Sequence, residues 1–274
     1  MTESTIERRN LRLAFDAERP RHWHSGNARI SRFYDALSMS FPPGEKSFID
    51  SVRDFADGIE DEDLQKDIQG FIRQEADHTR EHARYNATLN AQGVDVDFHT
   101  SLTAKPVELT RRYLSPKRNL ARTVGMEHIT AILADTILRR GDMVEKMDPS
   151  VRDLWVWHSI EETEHKAVAF DLYQDVDGGY WRRQRTFFTG TAYLIGFSAY
   201  FTWQFLKQDG VNRKPLTLAK GLWKMFGYRG VVSGAIPAWF QYLRPDFHPW
   251  QDDNTHLLDE WRATLPEPAV SAAA

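Results

Sequence analysis

Two Glu-x-x-His steps, Glu75-Ala-Asp-His78 and Glu162-Thr-Glu-His165, constrain this chain more than any other feature. A step of three residues puts a carboxylate and an imidazole on one face of a helix, close enough to reach a common point. Each step has a further glutamate upstream at a matching interval: Glu45 lies 30 residues before Glu75, and Glu127 lies 35 before Glu162. The series E…ExxH…E…ExxH is the ligand set of a two-metal carboxylate site inside a four-helix bundle. A single step is a weak signal, because 16 Glu and 10 His among 274 residues give about half a chance hit at any fixed spacing. Two steps, each with its upstream Glu, are far more specific.

The residues around these steps have helical periodicity. A short amphipathic stretch (Ile30, Phe33, Tyr34, Leu37) precedes Pro42-Pro43-Gly44, and the prolines suit the first turn of a helix whose stripe is Glu45, Phe48, Val52, Phe55. The second stripe, Leu64, Ile68, Phe71, Glu75, His78, His82, Tyr85, Leu89, runs unbroken to Gly93. A linker from Val94 to Leu114 leads to Ser115-Pro116, which opens the stripe Leu120, Val124, Glu127, Ala131, Ala134, Leu138, closed by Gly141. Asp148-Pro149 opens the fourth, Val151, Trp155, His158, Glu162, His165, Ala169, Leu172, which ends at Gly178-Gly179. The expected fold is all-α: a ferritin-like four-helix bundle with a C-terminal aromatic-rich helical extension. The expected divisions are a polar, irregular or weakly helical N-terminal segment (1–26), the di-metal bundle (27–178), the apolar extension (179–263) and a disordered tail (264–274).

Four glutamates on four core stripes would be ruinous as bare charges, since each costs several kcal/mol to desolvate. No lysine or arginine occupies the neighbouring stripe positions; the other polar members are histidines. Two divalent ions would balance four carboxylates and leave two imidazoles neutral. The expected metal ligands are therefore Glu45, Glu75, His78, Glu127, Glu162 and His165. His82 and His158, one turn outside the two steps, read as satisfied core imidazoles or as groups supporting the ligands. Glu161 is a ligand or a supporting group, whereas Glu164 faces away and reads as solvated. Asp135 is either exposed or placed to orient a ligand imidazole. The chain has no cysteine, which excludes disulfides, thiolate zinc sites, iron–sulfur clusters and a cysteine nucleophile. Oxygen and imidazole ligands suit iron first, with manganese and zinc as alternatives.

The formal net charge of −4 gives no electrostatic case for nucleic acid. The N-terminus is too charged for a signal-peptide core, so a cytoplasmic protein is expected, with the inner face of the membrane open as a location. Thr186 to Leu206 is 21 residues without a charge, flanked by Arg182, Arg183, Arg185 and Lys207. That length can span a bilayer. Its glycines, hydroxyls and Gln204 favour a buried or partner-facing helix, ahead of a membrane helix or a monotopic hairpin. The aromatic residues of this region could equally line an entrance for an apolar substrate.

The blocks FPPGEKSFI (41–49), FIRQEADHTREHARYN (71–86), EHITA (127–131), HSIEETEHKAVAFDLY (158–173) and YLRPDFHPW (242–250) resemble a bacterial family catalogued as predicted metal-dependent hydrolases. The resemblance covers roughly residues 25–250 and implies metal binding without supplying a substrate. The ligand pattern also resembles ferritin-like di-iron proteins, a broader group. Three functions are compatible with it. The main reading is a di-iron oxidase or oxygenase that activates O2 to oxidise a small apolar substrate, with an unassigned electron donor. The alternatives are a dinuclear metal-dependent hydrolase and an iron-binding or storage protein. Membrane-surface association and a homo-oligomer are both open expectations.

Overall fold

Capping side chains set where the helices begin. Asn27 accepts hydrogen bonds from the amides of Arg29 and Ile30, Asp61 from Leu64, Asp95 from Phe98 and Asp148 from Ser150. A computed structural model describes residues 6–266. The described residues are all-helical, with no strand beyond one isolated bridge between His24 and Met147. The helices are α1 (Ala28–Ala56), α2 (Glu62–Ala91), α3 (Val96–Tyr113), α4 (Pro116–Leu138), α5 (Gly141–Val144), α6 (Pro149–His165), α7 (Val168–Val176), α8 (Tyr180–Gln208), α9 (Pro215–Phe226), α10 (Val231–Gln241) and α11 (Thr255–Arg262). Gly93 and Gly178 follow α2 and α7 with positive φ, the left-handed conformation that closes a helix at little cost to glycine.

Helix α1 packs on α2, α3 and α8, while α4 packs on α6, α8 and α10 and α2 touches α6. One hydrophobic cluster runs through these elements from Leu11 to Leu258. Helices α4 and α8 approach closely at two glycines. A Cβ on Gly125 would lie 3.1 Å from Phe187 Cα, and one on Gly190 would lie 3.0 Å from Met126 Sδ.

Several expectations are corrected. The prolines do not open a helix: α1 is one helix of 29 residues running through Pro42 and Pro43. Pro42 has no N–H for the Ser38 carbonyl one turn back, and Asn86 Nδ2 supplies the missing donor at 2.9 Å. The expected linker is mostly helix α3, capped by Asp95 and burying His99, Thr103 and Val107. Gly141 begins α5 rather than ending α4, which stops at Leu138. The fourth stripe breaks at Lys166 and Ala167 into α6 and α7. The N-terminal segment is irregular, but it is fixed to the body: Leu11, Leu13 and Trp23 are buried. Of the tail expected to be disordered (264–274), residues 267–274 lie outside the described residues, and Thr264 bonds to the Trp261 carbonyl.

The uncharged run lies within α8, which has two faces. Phe187, Leu194, Phe201 and Phe205 are buried, while Phe188, Ile195 and Trp203 are exposed. Among the described residues no helix is long and apolar enough to cross a membrane.

Candidate metal centre

Four helices each send at least one acid into the same place. Glu45 comes from α1, Glu75 and His78 from α2, Glu127 from α4, and Glu162 and His165 from α6, and all six are buried. His165 Nε2 lies 3.2 Å from Glu75 Oε1, 3.4 Å from Glu127 Oε2 and 3.9 Å from Glu162 Oε2. His78 Nδ1 lies 3.5 Å from Glu75 Oε1 and 3.8 Å from Glu162 Oε1. The sets Glu45–Glu75–His78 and Glu75–Glu162–His165 each gather their ligand atoms within 4.8 Å of one another. Glu127 joins through its contact with His165. The structure thus brings together all six residues expected from the sequence.

Their hydrogen bonding tests whether a cation fits. Both oxygens of Glu45, Glu75 and Glu127, Glu162 Oε2, both nitrogens of His78 and Nε2 of His165 are buried without an aligned partner. Buried polar atoms are almost always paired, and a carboxylate left without a donor costs several kcal/mol. The closest contacts have hydrogen-bond length without hydrogen-bond direction, as expected of donor atoms that share a cation. Oxygen and imidazole nitrogen in this number suit a divalent metal.

The charges respond to this crowding in opposite ways. Burial and the charge of Glu75 push Glu45 well above the usual carboxylate range, and burial with Glu75 and Glu162 pushes Glu127 up to about 8. Burial also pushes Glu75 up, but the close His165 and His78 imidazoles outweigh it and bring Glu75 down to about 2. The same balance raises His165 to about 10, burial being overcome by Glu127 and Glu75. Without a cation, protons on Glu127, Glu45 and the imidazoles neutralise the cluster; bound cations would displace them.

Neighbouring groups hold these side chains in place. His165 Nδ1 donates to Gln74 Oε1 at 2.9 Å, and the Gln74 amide nitrogen is committed to Glu164 Oε2 and the Glu7 carbonyl. That leaves His165 Nε2 as the free nitrogen. His78 Nε2 lies 3.1 Å from Glu161 Oε2, and Glu161 accepts from Trp157 Nε1 at 2.8 Å. The residue before each Glu-x-x-His step thus contacts the imidazole of the other step, a register visible in the sequence as Gln74-Glu75 and Glu161-Glu162. Glu164 is not solvated: it is buried and held by Arg9, Arg262 and Gln74. Position on the helix alone missed the N-terminal segment and α11, which cover that face. Asp135 orients no imidazole; it pairs with Arg139 and accepts from Asn254.

His82 and His158 belong to a relay. Asn86 Nδ2 donates to the Ser38 carbonyl, so its Oδ1 accepts from Ser38 Oγ at 2.7 Å. The Ser38 hydroxyl proton is thereby used, and Ser38 Oγ accepts from His82 Nδ1 at 2.8 Å. His82 Nε2 then accepts from His158 Nδ1 at 3.1 Å, which leaves His158 Nε2 with a lone pair 3.2 Å from Glu162 Oε1. Burial and the neighbouring His158 and His78 push His82 well below its ordinary value, in keeping with this neutral tautomer. Two lone pairs at that distance repel unless a cation lies between them.

A cavity of about 160 Å³ reaches the cluster at Glu45 and Glu162. Its wall is mainly apolar, from α1, α3, α4 and α8, including Phe48, Val107, Met126 and Leu194. Helix α8 supplies part of this wall through Thr186, Thr189, Gly190, Tyr193 and Leu194.

Residues 7–253 match a family described as predicted metal-dependent hydrolases. The chain belongs to that family. No curated protein and no solved structure matches the chain. The family overturns the oxidative reading made from the ligand pattern. Carboxylate and imidazole ligands serve redox-active and redox-inert ions alike, so their spacing never carried a reaction type.

Proposed function

We propose that this chain is a hydrolase that holds two divalent cations with Glu45, Glu75, His78, Glu127, Glu162 and His165, and that His158 is a further ligand through Nε2. The observation that carries the reading is the set of buried carboxylate and imidazole atoms without protein partners at the inner end of an apolar cavity. In this reading α1, α2, α4 and α6 are the helices of a ferritin-like bundle, α3 is its crossover, and α8–α10 form an extension that shapes access. Bound cations would lower the pKa of a coordinated water and polarise the scissile bond. Glu45 and Glu162 face the incoming substrate and align the bond to be broken against the cluster. The apolar wall keeps bulk water away and selects a substrate with an apolar body. Gln74 and Glu161 hold the two imidazoles in register. Hydrolysis needs no change of oxidation state, so zinc and manganese stand beside iron.

The test is product release from a panel of p-nitrophenyl esters and anilides with apolar acyl chains, after loading with zinc, manganese or iron. Turnover that disappears on chelation, returns with one metal and is lost in Glu75→Gln supports the reading. Turnover that survives both chelation and Glu75→Gln, or no turnover by any metal-loaded form, rejects it.

A further inference from the structure

Arg122 stands in the wall of the cavity without an acid beside it. It lies on α4 five residues before Glu127, about 7.5 Å along the helix axis. Its Nη2 donates to the Ser47 hydroxyl, while its Nε is buried with no partner. Among the described residues no carboxylate pairs with it, and the titratable groups that influence it are Tyr193 and Arg111. Arg111 shows the contrast, since both its terminal nitrogens donate to Asp54. Burial pushes the Arg122 pKa down, yet a guanidinium keeps its proton in proteins. Arg122 is half-buried, and an anion that enters would offset the cost of holding its charge against Phe48, Val107, Leu114 and Met126.

The surroundings point the same way. The Thr186 and Thr189 hydroxyls donate to backbone carbonyls, so they do not compete with Arg122 as donors. Past Leu114, Thr186 and Thr189 the cavity adjoins an open depression of about 770 Å³ carrying Arg118, Arg182 and Arg185. Arg182 is paired with Asp177, whereas Arg118 and Arg185 have no acid partner among the described residues. A positive entrance of this kind draws in anions.

We propose that Arg122 is the substrate-recognition residue of this cavity, and that it binds the carboxylate of an organic acid whose apolar body extends to Glu45 and Glu162. The substrate class is then an apolar ester or amide that also carries a free carboxylate. This rests on the hydrolytic reading of the adjoining cluster.

The experiment is calorimetric titration of the metal-loaded protein with hexanoate and, separately, with hexanamide, its neutral counterpart. Hexanoate should bind at least about tenfold more tightly, the scale of a charge-assisted bidentate pair. Arg122→Met should abolish that preference with metal content unchanged, and Arg122→Lys should keep part of it, which guards against a folding artefact. Equal binding of the two probes by the wild type, or a preference that persists in Arg122→Met, overturns the proposal; the latter would place the carboxylate on the metals. Metal content is read independently by elemental analysis. Two bound ions with no hexanoate preference removes the arginine site alone, whereas a preference without bound ions removes the hydrolytic reading alone.

Discussion

Among the described residues, the buried carboxylates around Arg32 are closed by their own residues, whereas those of the Glu-x-x-His steps are not. Around Arg32, Asp209 accepts from Nε and Nη2 at 2.8 Å each, and Asp35 accepts from Nη1 at 2.8 Å. Asp35 also accepts from Trp23 Nε1 and the Tyr85 hydroxyl. Burial pushes Asp209 up, but the Arg32 guanidinium and His22 hold it well below the usual carboxylate range. In the cluster of Glu45, Glu75, Glu127 and Glu162 no lysine or arginine among the described residues forms an ion pair, and most oxygens have no aligned donor. The chain places arginines one layer out, where Arg9 and Arg262 hold Glu164 and Arg8 and Arg80 hold Asp77. Glu164 and Asp77 are thus neutralised from outside the centre, whereas the four central carboxylates are not. The first cluster carries its cation in its sequence; the second has none of its own among the described residues.

The largest effect expected from breaking this contrast is in the first cluster. Arg32→Met leaves Asp35 and Asp209 buried without their cation, which costs about 3–5 kcal/mol. Chemical denaturation should show the same loss with and without metal, and a loss that added metal repairs would refute the division. Next comes metal itself. Free metal at about a thousand times its dissociation constant should stabilise the fold by about 4 kcal/mol, and the gain should grow with pH. Glu127, raised to about 8, and His165, raised to about 10, each keep a proton in the metal-free fold beyond their unfolded values. Their contribution is complete below those unfolded values and is lost as pH rises through the raised ones, while metal no longer has to displace the protons. Melting curves at acidic and mildly alkaline pH should show a larger metal-induced shift at the higher pH; an equal shift at both would contradict this. The smallest effect belongs to the supports. Gln74→Leu should lower metal affinity by about 10–100-fold. Because Arg9 and Arg262 still hold Glu164, the metal-free melting midpoint should move much less than in Arg32→Met.

What the sequence made legible follows from the range of the forces involved. Helix starts at Asp148-Pro149 and Ser115-Pro116, and the stop at Gly93, are local backbone matters, and they appear where the residues put them. The Glu-x-x-His steps were legible because helix periodicity fixes which side chains share a face. Pro42 and Pro43 misled because the rescue of the Ser38 carbonyl comes from Asn86 on another helix. Helix α3 was hidden because its capping Asp95 precedes a weakly apolar sequence with an internal proline. Glu164 looked solvated because its partners, Arg9 and Arg262, come from opposite ends of the chain. Gln74 is different: its place before Glu75 mirrors Glu161 before Glu162, so the doubled motif already held that signal.

Counting metal ions on the purified chain tests the contrast most directly. Elemental analysis after loading at mildly alkaline pH and removal of excess metal should find two divalent ions per chain. Glu75→Gln, which removes the carboxylate shared by the Glu45–Glu75–His78 and Glu75–Glu162–His165 sets, should lose them while remaining folded, since a neutral amide there relieves the buried charge. A wild-type chain that takes up no ion under those conditions, or a Glu75→Gln chain that keeps both, would show that the central carboxylates are neutralised by protons alone.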